Sequence, residues 1–115
     1  EASVIITNPT HFAVALKYAP DSRATPYVIA SGKGPMALRI IDEGEKAKIT
    51  RVQSPVLARA LYFTSDIGSD VSEDLFSAVA SVLAYVLQLE RGADLSFEDP
   101  EIPKDLQYDE FGSKL

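Results

Sequence analysis

Two short apolar runs, separated by only four residues, open the sequence and constrain its fold more than any other feature. Residues Ser3–Thr7 are rich in β-branched side chains, and Phe12–Tyr18 alternates imperfectly between larger and smaller apolar residues. Both patterns are typical of strands. The residues between them, Asn8–His11, begin with an Asn-Pro pair, which commonly initiates a turn. The pattern predicts two strands joined by this turn.

The peptide bond between Asn8 and Pro9 has a particular chemistry. In ordinary asparagine ageing, the backbone nitrogen of the next residue attacks the side-chain carbonyl carbon, and deamidation follows. Proline has no backbone N–H, so this route is closed at Asn8. The remaining route is attack by the Asn8 side-chain nitrogen on its own backbone carbonyl, which would close a succinimide and expel the nitrogen of Pro9. Two interpretations stay open from these residues alone: a self-cleaving bond or an ordinary turn.

Self-cleavage requires proton transfers, and two residues of the turn are candidates for them. His11 is the only histidine of the chain, and imidazole is the side-chain group best suited to proton transfer near neutral pH, so it is the candidate proton shuttle or orienting group. Thr10 is a candidate donor to the developing oxyanion, or it fixes the turn through its backbone. The predicted catalytic residues are therefore Asn8, Pro9, Thr10 and His11.

Downstream of the turn, strand-like and helix-like segments alternate. Apolar runs at 27–30 and 49–52 predict a third and a fourth strand. Pro35, at the end of a turn at 31–35, and the pair Ser54-Pro55 are typical of helix starts. We expect one helix at 36–46, a second at 55–64, and a third that follows a capping box formed by Asp70 and Glu73 and ends at residue 91.

The spacing of apolar residues predicts which helix faces are buried. In the first helix, Met36, Leu38, Ile40 and Ile41 are expected on the inner side. In the last helix, an apolar stripe predicts extensive burial against the sheet; it comprises Leu75, Phe76, Val79, Val82, Leu83, Val86, Leu87 and Leu89. The predicted fold is a small α/β domain in which a mixed four-stranded sheet packs with about three helices, and the self-cleaving turn joins the first two strands.

Charge divides the chain at about residue 91. The net charge is −6; residues 1–91 carry nine Lys or Arg against ten Asp or Glu, whereas residues 92–115 carry two against seven. We therefore predict a folded domain at 1–91 and an acidic, mobile tail at 92–115. Six apolar tail residues are candidates for docking, either on a partner or on the domain itself; they are Leu95, Phe97, Ile102, Leu106, Tyr108 and Phe111. Nothing in the charge pattern favours binding to nucleic acid, because proteins that bind nucleic acid normally present a net basic face.

Several classes of function find no support in the sequence. The chain has no cysteine and one histidine, so we predict neither a disulfide nor a metal site, and no cofactor. The glycine-rich stretch at 31–35 lacks the spacing of a phosphate-binding loop. A turnover enzyme is not predicted either, because cutting its own backbone is a single event. The longest apolar stretch, at 76–89, is too short to span a bilayer.

Three stretches carry a resemblance to a known family. They are Val4–Tyr18, which contains the Asn-Pro-Thr-His turn, Ala37–Ile40, and Pro55–Tyr62. In this order and spacing, over about residues 4–91, they resemble the FlhB/YscU family of type III secretion export-switch proteins. The residues that follow His11 look more flagellar than injectisome. One departure lies at Ser31-Gly32, where the family usually has a Lys-Gly pair and this chain has its lysine at Lys33.

The resemblance implies self-cleavage between Asn8 and Pro9 and a switch of flagellar export from rod- and hook-type to filament-type substrates. It implies a place at the cytoplasmic face of the bacterial inner membrane, through an N-terminal membrane domain and a linker outside this sequence. The implied partners are other export-gate proteins, a hook-length control protein and export substrates. By position, it also implies an apolar patch that binds a substrate signal, formed by Thr25, Pro26, Ala80 and Leu83.

Two alternatives stay open beside this interpretation. One is a docking module for export substrates or partner proteins, in which the Asn8–Pro9 bond stays intact and binding is the whole activity. The other is a small α/β ligand-binding domain without switching, which predicts a deep pocket with convergent polar groups.

Overall fold

The first strand of the chain is a central strand of the sheet and pairs along both of its edges. The computed structural model describes residues 1–115. Strand β1 (Val4–Asn8) is antiparallel to β2 (Phe12–Lys17), and β2 is antiparallel to β3 (Tyr27–Lys33). The short strand β4 (Arg51–Gln53) lies parallel to β1 on its other side. The sheet is thus mixed, with the order β3-β2-β1-β4, which confirms the predicted sheet.

Three helices cover the two faces of this sheet. Helix α1 (Pro35–Lys46) packs on β2 and β3. Helix α2 (Pro55–Thr64) packs on β1 and β2, and α3 (Phe76–Glu90) joins α2 in the larger of the two hydrophobic clusters. A short 3₁₀ turn, Glu73–Leu75, leads into α3, and another, Lys104–Leu106, lies near the end of the chain. The three-helix α/β architecture agrees with the sequence-based prediction.

Side-chain alternation along β1 and β2 divides the core between the two faces of the sheet. Successive side chains of a strand point to opposite faces. The larger cluster takes Val4, Ile6, Val14 and Leu16 from these strands, and the smaller cluster, next to α1, takes Ile5, Ala13 and Ala15. Because both faces are covered, both strands are apolar nearly throughout, as buried strands are.

The buried face of α1 differs from the predicted one. Ala37 and Gly44 are buried, whereas Met36 and Leu38 are 49% and 52% exposed. The small residues lie inside because α1 approaches the sheet closely, and a Cβ atom at Gly44 would overlap Cδ1 of Ile5. The prediction that Met36 and Leu38 face inward is therefore wrong, since close approach at the buried positions selects small side chains over large ones. Ile40 and Ile41, by contrast, do pack against the smaller cluster.

Helix α3 is less buried than its apolar stripe predicts. Val79, Val82 and Val86 face the core, but Phe76 and Leu87 are exposed. These two residues line a surface cavity instead of packing on the sheet. The stripe is wider than the contact that the sheet and α2 offer, so its outer part remains accessible.

The predicted capping box at the start of α3 does not form. The 3₁₀ turn before α3 begins after Ser72, and no side chain caps it. The carboxylate of Asp70 instead accepts a hydrogen bond from Nε of Arg23 (2.9 Å). Arg23 also lies over the ring of Tyr27, with Cζ 4.0 Å from the ring centroid. The charge-assisted bond to Arg23 competes with capping and prevails.

Residues 92–115 contain little regular structure, yet they lie against the domain. Ile102 is buried in the larger hydrophobic cluster. The ring of Phe97 lies 5.1 Å from that of Tyr85, and the ring of Tyr108 lies 5.5 Å from that of Phe63. The sequence allowed the tail to dock either on a partner or on the domain, and in the structure these tail residues dock on the domain. The mobility of the tail and the division of the chain at residue 91 stay predictions.

Two hydrogen bonds connect this tail to α2. The hydroxyl of Ser54 donates to the carboxylate of Asp99 (2.5 Å). Nε of Arg59 donates to the carbonyl of Tyr108 (2.6 Å). Arg59 therefore has a structural role, since it joins α2 to the backbone of the tail.

Removal of the Phe12 ring should be the most costly change near the start of the chain. Phe12 is buried, and its ring lies edge-on to Tyr62 (5.0 Å between centroids) and Phe63 (5.6 Å). We expect Phe12→Ala to lower the free energy of unfolding by about 3–5 kcal/mol. Urea denaturation measures this loss, in an Asn8→Ala background so that the predicted self-cleavage does not interfere. Phe111→Ala is the control, because that ring is 80% exposed. If both variants lose the same free energy of unfolding, the Phe12 ring does not contribute to stability through its packing on Tyr62 and Phe63.

Contact between the tail and the core predicts a measurable effect of Ile102→Ala. We expect this change to lower the free energy of unfolding by about 2 kcal/mol, since it removes a buried side chain. Leu95→Ala, an exposed tail position, should change it by less than about 0.5 kcal/mol. If both variants unfold at the same urea concentration, the tail does not dock on the domain.

Candidate functional site

The residues between β1 and β2 form a tight turn. The N–H of His11 donates to the carbonyl of Asn8 (2.7 Å), which is the closing bond of a β-turn with Pro9 and Thr10 at its central positions. The peptide bond between Asn8 and Pro9 is trans, since the chain contains no cis peptide. The turn that the sequence predicts is thus present, and it brings the four candidate residues together.

Both ends of this turn are held by buried neighbours. Thr7 and Phe12, which flank the turn, are buried. The carbonyl of Thr7 accepts a hydrogen bond from the amide of Ser54 (2.9 Å), and the carbonyl of His11 accepts one from the amide of Gly34 (2.8 Å). The turn is therefore tied on one side to the start of α2 and on the other to the start of α1.

The side chains of the turn are free of such ties. Asn8 is partly buried, and Pro9, Thr10 and His11 are exposed. No side-chain hydrogen bond within the protein involves Asn8, Thr10 or His11. The Asn8 carboxamide thus has no competing partner, and the Thr10 hydroxyl and the His11 ring are open to water for proton exchange.

The hydrogen bond from the His11 amide has a chemical consequence. It falls on the Asn8 carbonyl, the group that the side-chain nitrogen would attack. A backbone N–H aimed at a carbonyl oxygen stabilises the negative charge that develops there during attack. Sequence reasoning considered the hydroxyl of Thr10 for this role and missed the His11 amide, because the donor is defined only once the turn has closed.

The turn lies at the sheet edge where two helices begin. Strands β1, β3 and β4 all end at this edge, because β2 is antiparallel to both of its neighbours and β4 is parallel to β1. Helix α1 follows β3 and α2 follows β4. The N-terminal ends of both helices carry partial positive charge, which favours negative charge at this edge.

Thr25, Pro26, Ala80 and Leu83, the predicted substrate-binding residues, line one surface cavity of about 730 Å³. Ten of its seventeen lining residues are hydrophobic, including Tyr18, Phe76 and Leu87. The cavity flanks the sheet edge opposite the turn, since its lining residues outside α3 precede β1, β3 or β4 or follow β2. The two predicted sites are thus about 15 Å apart, the length of a five-residue strand.

The loop that forms one wall of this cavity is anchored by the Arg23 contacts. The amide of Val71 donates to the carbonyl of Pro26 (2.9 Å). Arg23 joins the same loop to Asp70 and, through its terminal nitrogen, to the carbonyl of Gly68 (2.9 Å). Thr25 and Pro26 therefore have a fixed position opposite α3.

Charged side chains form isolated pairs rather than a site. The pKa of Lys46 is raised by its hydrogen bond to Asp42, with added attraction from Asp42 and Glu43. Lys46 lies at the end of α1 that is remote from the turn.

No three His, Asp or Glu side chains lie close enough together to hold a metal ion. None of the helices combines the length and the apolar character that crossing a membrane requires.

This chain belongs to the family described as FlhB, HrpN, YscU and SpaS, whose model matches residues 1–86. It is similar to the flagellar biosynthetic protein FlhB of Salmonella typhimurium, with 42% identity over 106 residues that cover 92% of this chain and 28% of that protein. FlhB of Aquifex aeolicus is 46% identical over 87 residues, which cover 76% of this chain and 25% of the relative. The chain thus spans about a quarter of the length of these curated relatives.

Solved structures agree with this assignment. The cytoplasmic domain of FlhB from Shewanella putrefaciens superposes with a TM-score of 0.85 at 39% identity, covering 93% of this chain and 88% of that one. A variant of the EscU C-terminal domain in which an asparagine is replaced gives a TM-score of 0.72 at 33% identity, covering 84% of this chain and 90% of that one.

The EscU variants also bear on the turn. Other EscU variants replace the proline directly after that asparagine or the histidine two positions beyond the proline. Asn8, Pro9 and His11 have the same spacing. Another EscU variant replaces a tyrosine. Its separation from the replaced asparagine equals the separation of Tyr62 from Asn8. In this chain, the ring of Tyr62 contacts that of Phe12, directly after the turn.

Proposed function

We propose that this chain cuts its own backbone between Asn8 and Pro9 and serves as the cytoplasmic switch domain of a flagellar type III export apparatus. The observation that carries the proposal is the 2.7 Å hydrogen bond from the His11 amide to the Asn8 carbonyl. This hydrogen bond activates the Asn8–Pro9 peptide bond. Because Pro9 has no backbone N–H, the competing route of deamidation is closed at Asn8.

The reaction balances within the turn. The side-chain nitrogen of Asn8 bonds to the backbone carbonyl carbon of the same residue, and the bond from that carbon to the nitrogen of Pro9 breaks. The side-chain nitrogen loses a proton, and the departing nitrogen of Pro9 gains one. The products are a succinimide at the end of residues 1–8 and a free secondary amine at Pro9. His11 shuttles the proton, directly or through water, and Thr10 orients the turn or supports the oxyanion.

The energetics suit a slow, single event. The carboxamide is a weak nucleophile, so most of the rate must come from holding it near its target. The turn is tied at both ends while the Asn8 side chain stays free, which suits that requirement. A half-life of minutes corresponds to a barrier of about 21–22 kcal/mol.

Two lines of comparison support this proposal. Membership in a family whose curated relatives are named flagellar biosynthetic proteins supports the flagellar setting. The recurrence of the Asn-Pro-x-His spacing in the EscU C-terminal domain supports a shared function for Asn8, Pro9 and His11.

The proposed role in export combines what a cut would change with the export setting that the family supports. Residues 1–8 remain paired with β2 and β4 after cleavage, so the domain stays folded while Pro9–His11 gain freedom to present a different surface. In the full-length protein, an N-terminal membrane domain holds the switch at the cytoplasmic face of the inner membrane. Its partners there are other export-gate proteins, a hook-length control protein and export substrates, and the switch changes export from rod- and hook-type to filament-type substrates.

The cavity at the opposite sheet edge is the proposed binding site for an apolar signal segment of export substrates. Its lining is mainly hydrophobic, with Ala80 and Leu83 on α3 facing the anchored Thr25-Pro26 loop. This composition favours an apolar peptide over a small polar ligand. It also supports the second candidate function, a docking module whose Asn8–Pro9 bond stays intact, because binding here does not require the cut.

Mass analysis of the purified chain tests cleavage directly. Under denaturing conditions, we expect a polypeptide that begins at Pro9 in the wild type and only the intact chain in Asn8→Ala. We expect His11→Ala to cut about a hundredfold more slowly, as loss of a general acid–base group does. Circular dichroism checks that both variants fold. A cut that persists in Asn8→Ala rules out the succinimide route, and an unchanged rate in His11→Ala removes its side chain from the mechanism.

A charge in the cavity tests substrate binding. Ala80 is exposed and lines the cavity, so Ala80→Asp adds a carboxylate that an apolar segment must desolvate. We expect it to weaken binding of a purified rod- or hook-type export substrate about tenfold in calorimetric titration, a loss of about 1.4 kcal/mol. Ala93→Asp is the matched control, because Ala93 is exposed outside the cavity. Equal affinities of the two variants would mean that the substrate binds elsewhere.

A further inference from the structure

We infer that Gly34 is a positioning residue for cleavage of the Asn8–Pro9 bond. The inference rests on the proposed self-cleavage and assigns to Gly34 the task of holding the backbone of His11 in place. As a glycine, Gly34 has no side chain that could contact the Asn8 carboxamide or the departing proline. It acts through one hydrogen bond and one backbone conformation.

A chain of two hydrogen bonds connects Gly34 to the reacting carbonyl. The amide of Gly34 donates to the carbonyl of His11 (2.8 Å), and the amide of His11 donates to the carbonyl of Asn8 (2.7 Å). The peptide groups on both sides of the His11 Cα are therefore fixed. If the first bond is lost, the second loses its alignment, and the donor at the Asn8 carbonyl moves.

The conformation of Gly34 is one that glycine adopts and L-residues avoid. Its φ is 59° and its ψ is −130°, which is the mirror image of the extended region. A Cβ atom built at Gly34 would meet no atom within 4 Å. The requirement for glycine here is thus conformational and not one of space, so an L-alanine must rotate the backbone and re-aim the amide.

The position of Gly34 couples this amide to α1. The carbonyl of Gly34 accepts a hydrogen bond from the amide of Leu38 (3.2 Å), so Gly34 begins the helix with one backbone group and holds the turn with the other. The helix cannot follow a rotation at Gly34 without losing its own packing on the sheet. A rotation must therefore be absorbed on the side of the turn.

Another glycine provides a matched control for backbone strain. Gly68 also has a positive φ, 90°, and open space around its Cβ position. Its amide donates to the carbonyl of Val28 (2.7 Å), near the start of β3, whereas Gly34 follows the end of β3. Gly68→Ala therefore also places an L-residue at a positive φ, but at the sheet edge remote from the turn.

Chemical synthesis of the 115-residue chain makes the kinetic test sharp, because the clock starts when the denatured chain is refolded. The chains carry glycine, L-alanine or D-alanine at position 34, and a fourth carries Gly68→Ala. Acid-quenched samples are analysed by intact mass for the polypeptide that begins at Pro9. D-alanine accepts the backbone angles of Gly34, since they mirror those of extended L-residues.

We expect Gly34→Ala to cut about ten to a hundredfold more slowly than wild type, the range that misplacement of a reacting group produces. Gly34→D-Ala and Gly68→Ala should cut within about threefold of wild type, because neither forces the Gly34 backbone to rotate. Equal rates in wild type and Gly34→Ala overturn the positioning role while self-cleavage stands. Equally slow cutting by the L- and D-alanine chains also overturns it, since the handedness of the backbone would then not matter. A wild-type chain that refolds and stays intact overturns both the inference and the proposed function.

A second measurement keeps the test independent of cleavage rates. Hydrogen exchange is compared in recombinant Asn8→Ala and Asn8→Ala/Gly34→Ala chains, which stay uncut. We expect the His11 amide to exchange about tenfold faster or more in the double variant, and the amides within β2 to exchange as before. Unchanged protection of the His11 amide would show that Gly34 does not hold it, even if Gly34→Ala proved too unstable for kinetics.

Discussion

The pairing of β1 along both of its edges is the constraint on which the rest of the structure depends. Five residue pairs join β1 to β2, and three join it to β4. Val4, Ile5 and Ile6 are buried between the two helical layers, and burial of each such side chain contributes about 1.5–3 kcal/mol. A strand held in this way remains in the sheet whether or not it is covalently joined to β2.

This arrangement separates what must be rigid in the turn from what must be free. The backbone on either side is fixed by Thr7 and Phe12 in the core and by amides from the starts of α1 and α2. The side chains of Asn8, Thr10 and His11 have no partner in the protein. A reaction within one residue needs both conditions, since the carbonyl must be presented in one orientation while the side chain rotates towards it.

The two candidate sites lie at opposite edges of one sheet, with β1 and β2 running between them. A change at the turn therefore reaches the cavity only through these strands or through the helices packed on them. The tail contacts two of these helices, since Asp99 accepts a hydrogen bond from Ser54 at the start of α2 and the ring of Phe97 packs against that of Tyr85 on α3. Ser54 contacts the tail through its hydroxyl and β1 through its amide, so the tail and the Asn8–His11 turn share one neighbour.

Some features of this domain were evident from local sequence. The β-branched run before Asn8 and the Ser54-Pro55 helix start were both located correctly, because each depends on the conformational preferences of a few neighbouring residues. Other predictions failed where a distant partner decided the outcome. Residues 31–33, predicted as part of a turn, continue β3 because Phe12 of β2 pairs with Lys33. Asp70, predicted as a helix cap, pairs with Arg23 from a loop 47 residues earlier.

By itself, the sequence determined the order of the main strands and helices and excluded one reaction at one peptide bond. A proline after an asparagine excludes one reaction wherever the pair occurs, and apolar periodicity marks strands and helices, because both effects are local. The tertiary structure alone decided which backbone amide faces the Asn8 carbonyl and which glycine amide donates to the His11 carbonyl. It also decided that small residues, rather than Met36 and Leu38, face the sheet. These features depend on the distance and direction between segments far apart in the chain, which no local pattern encodes.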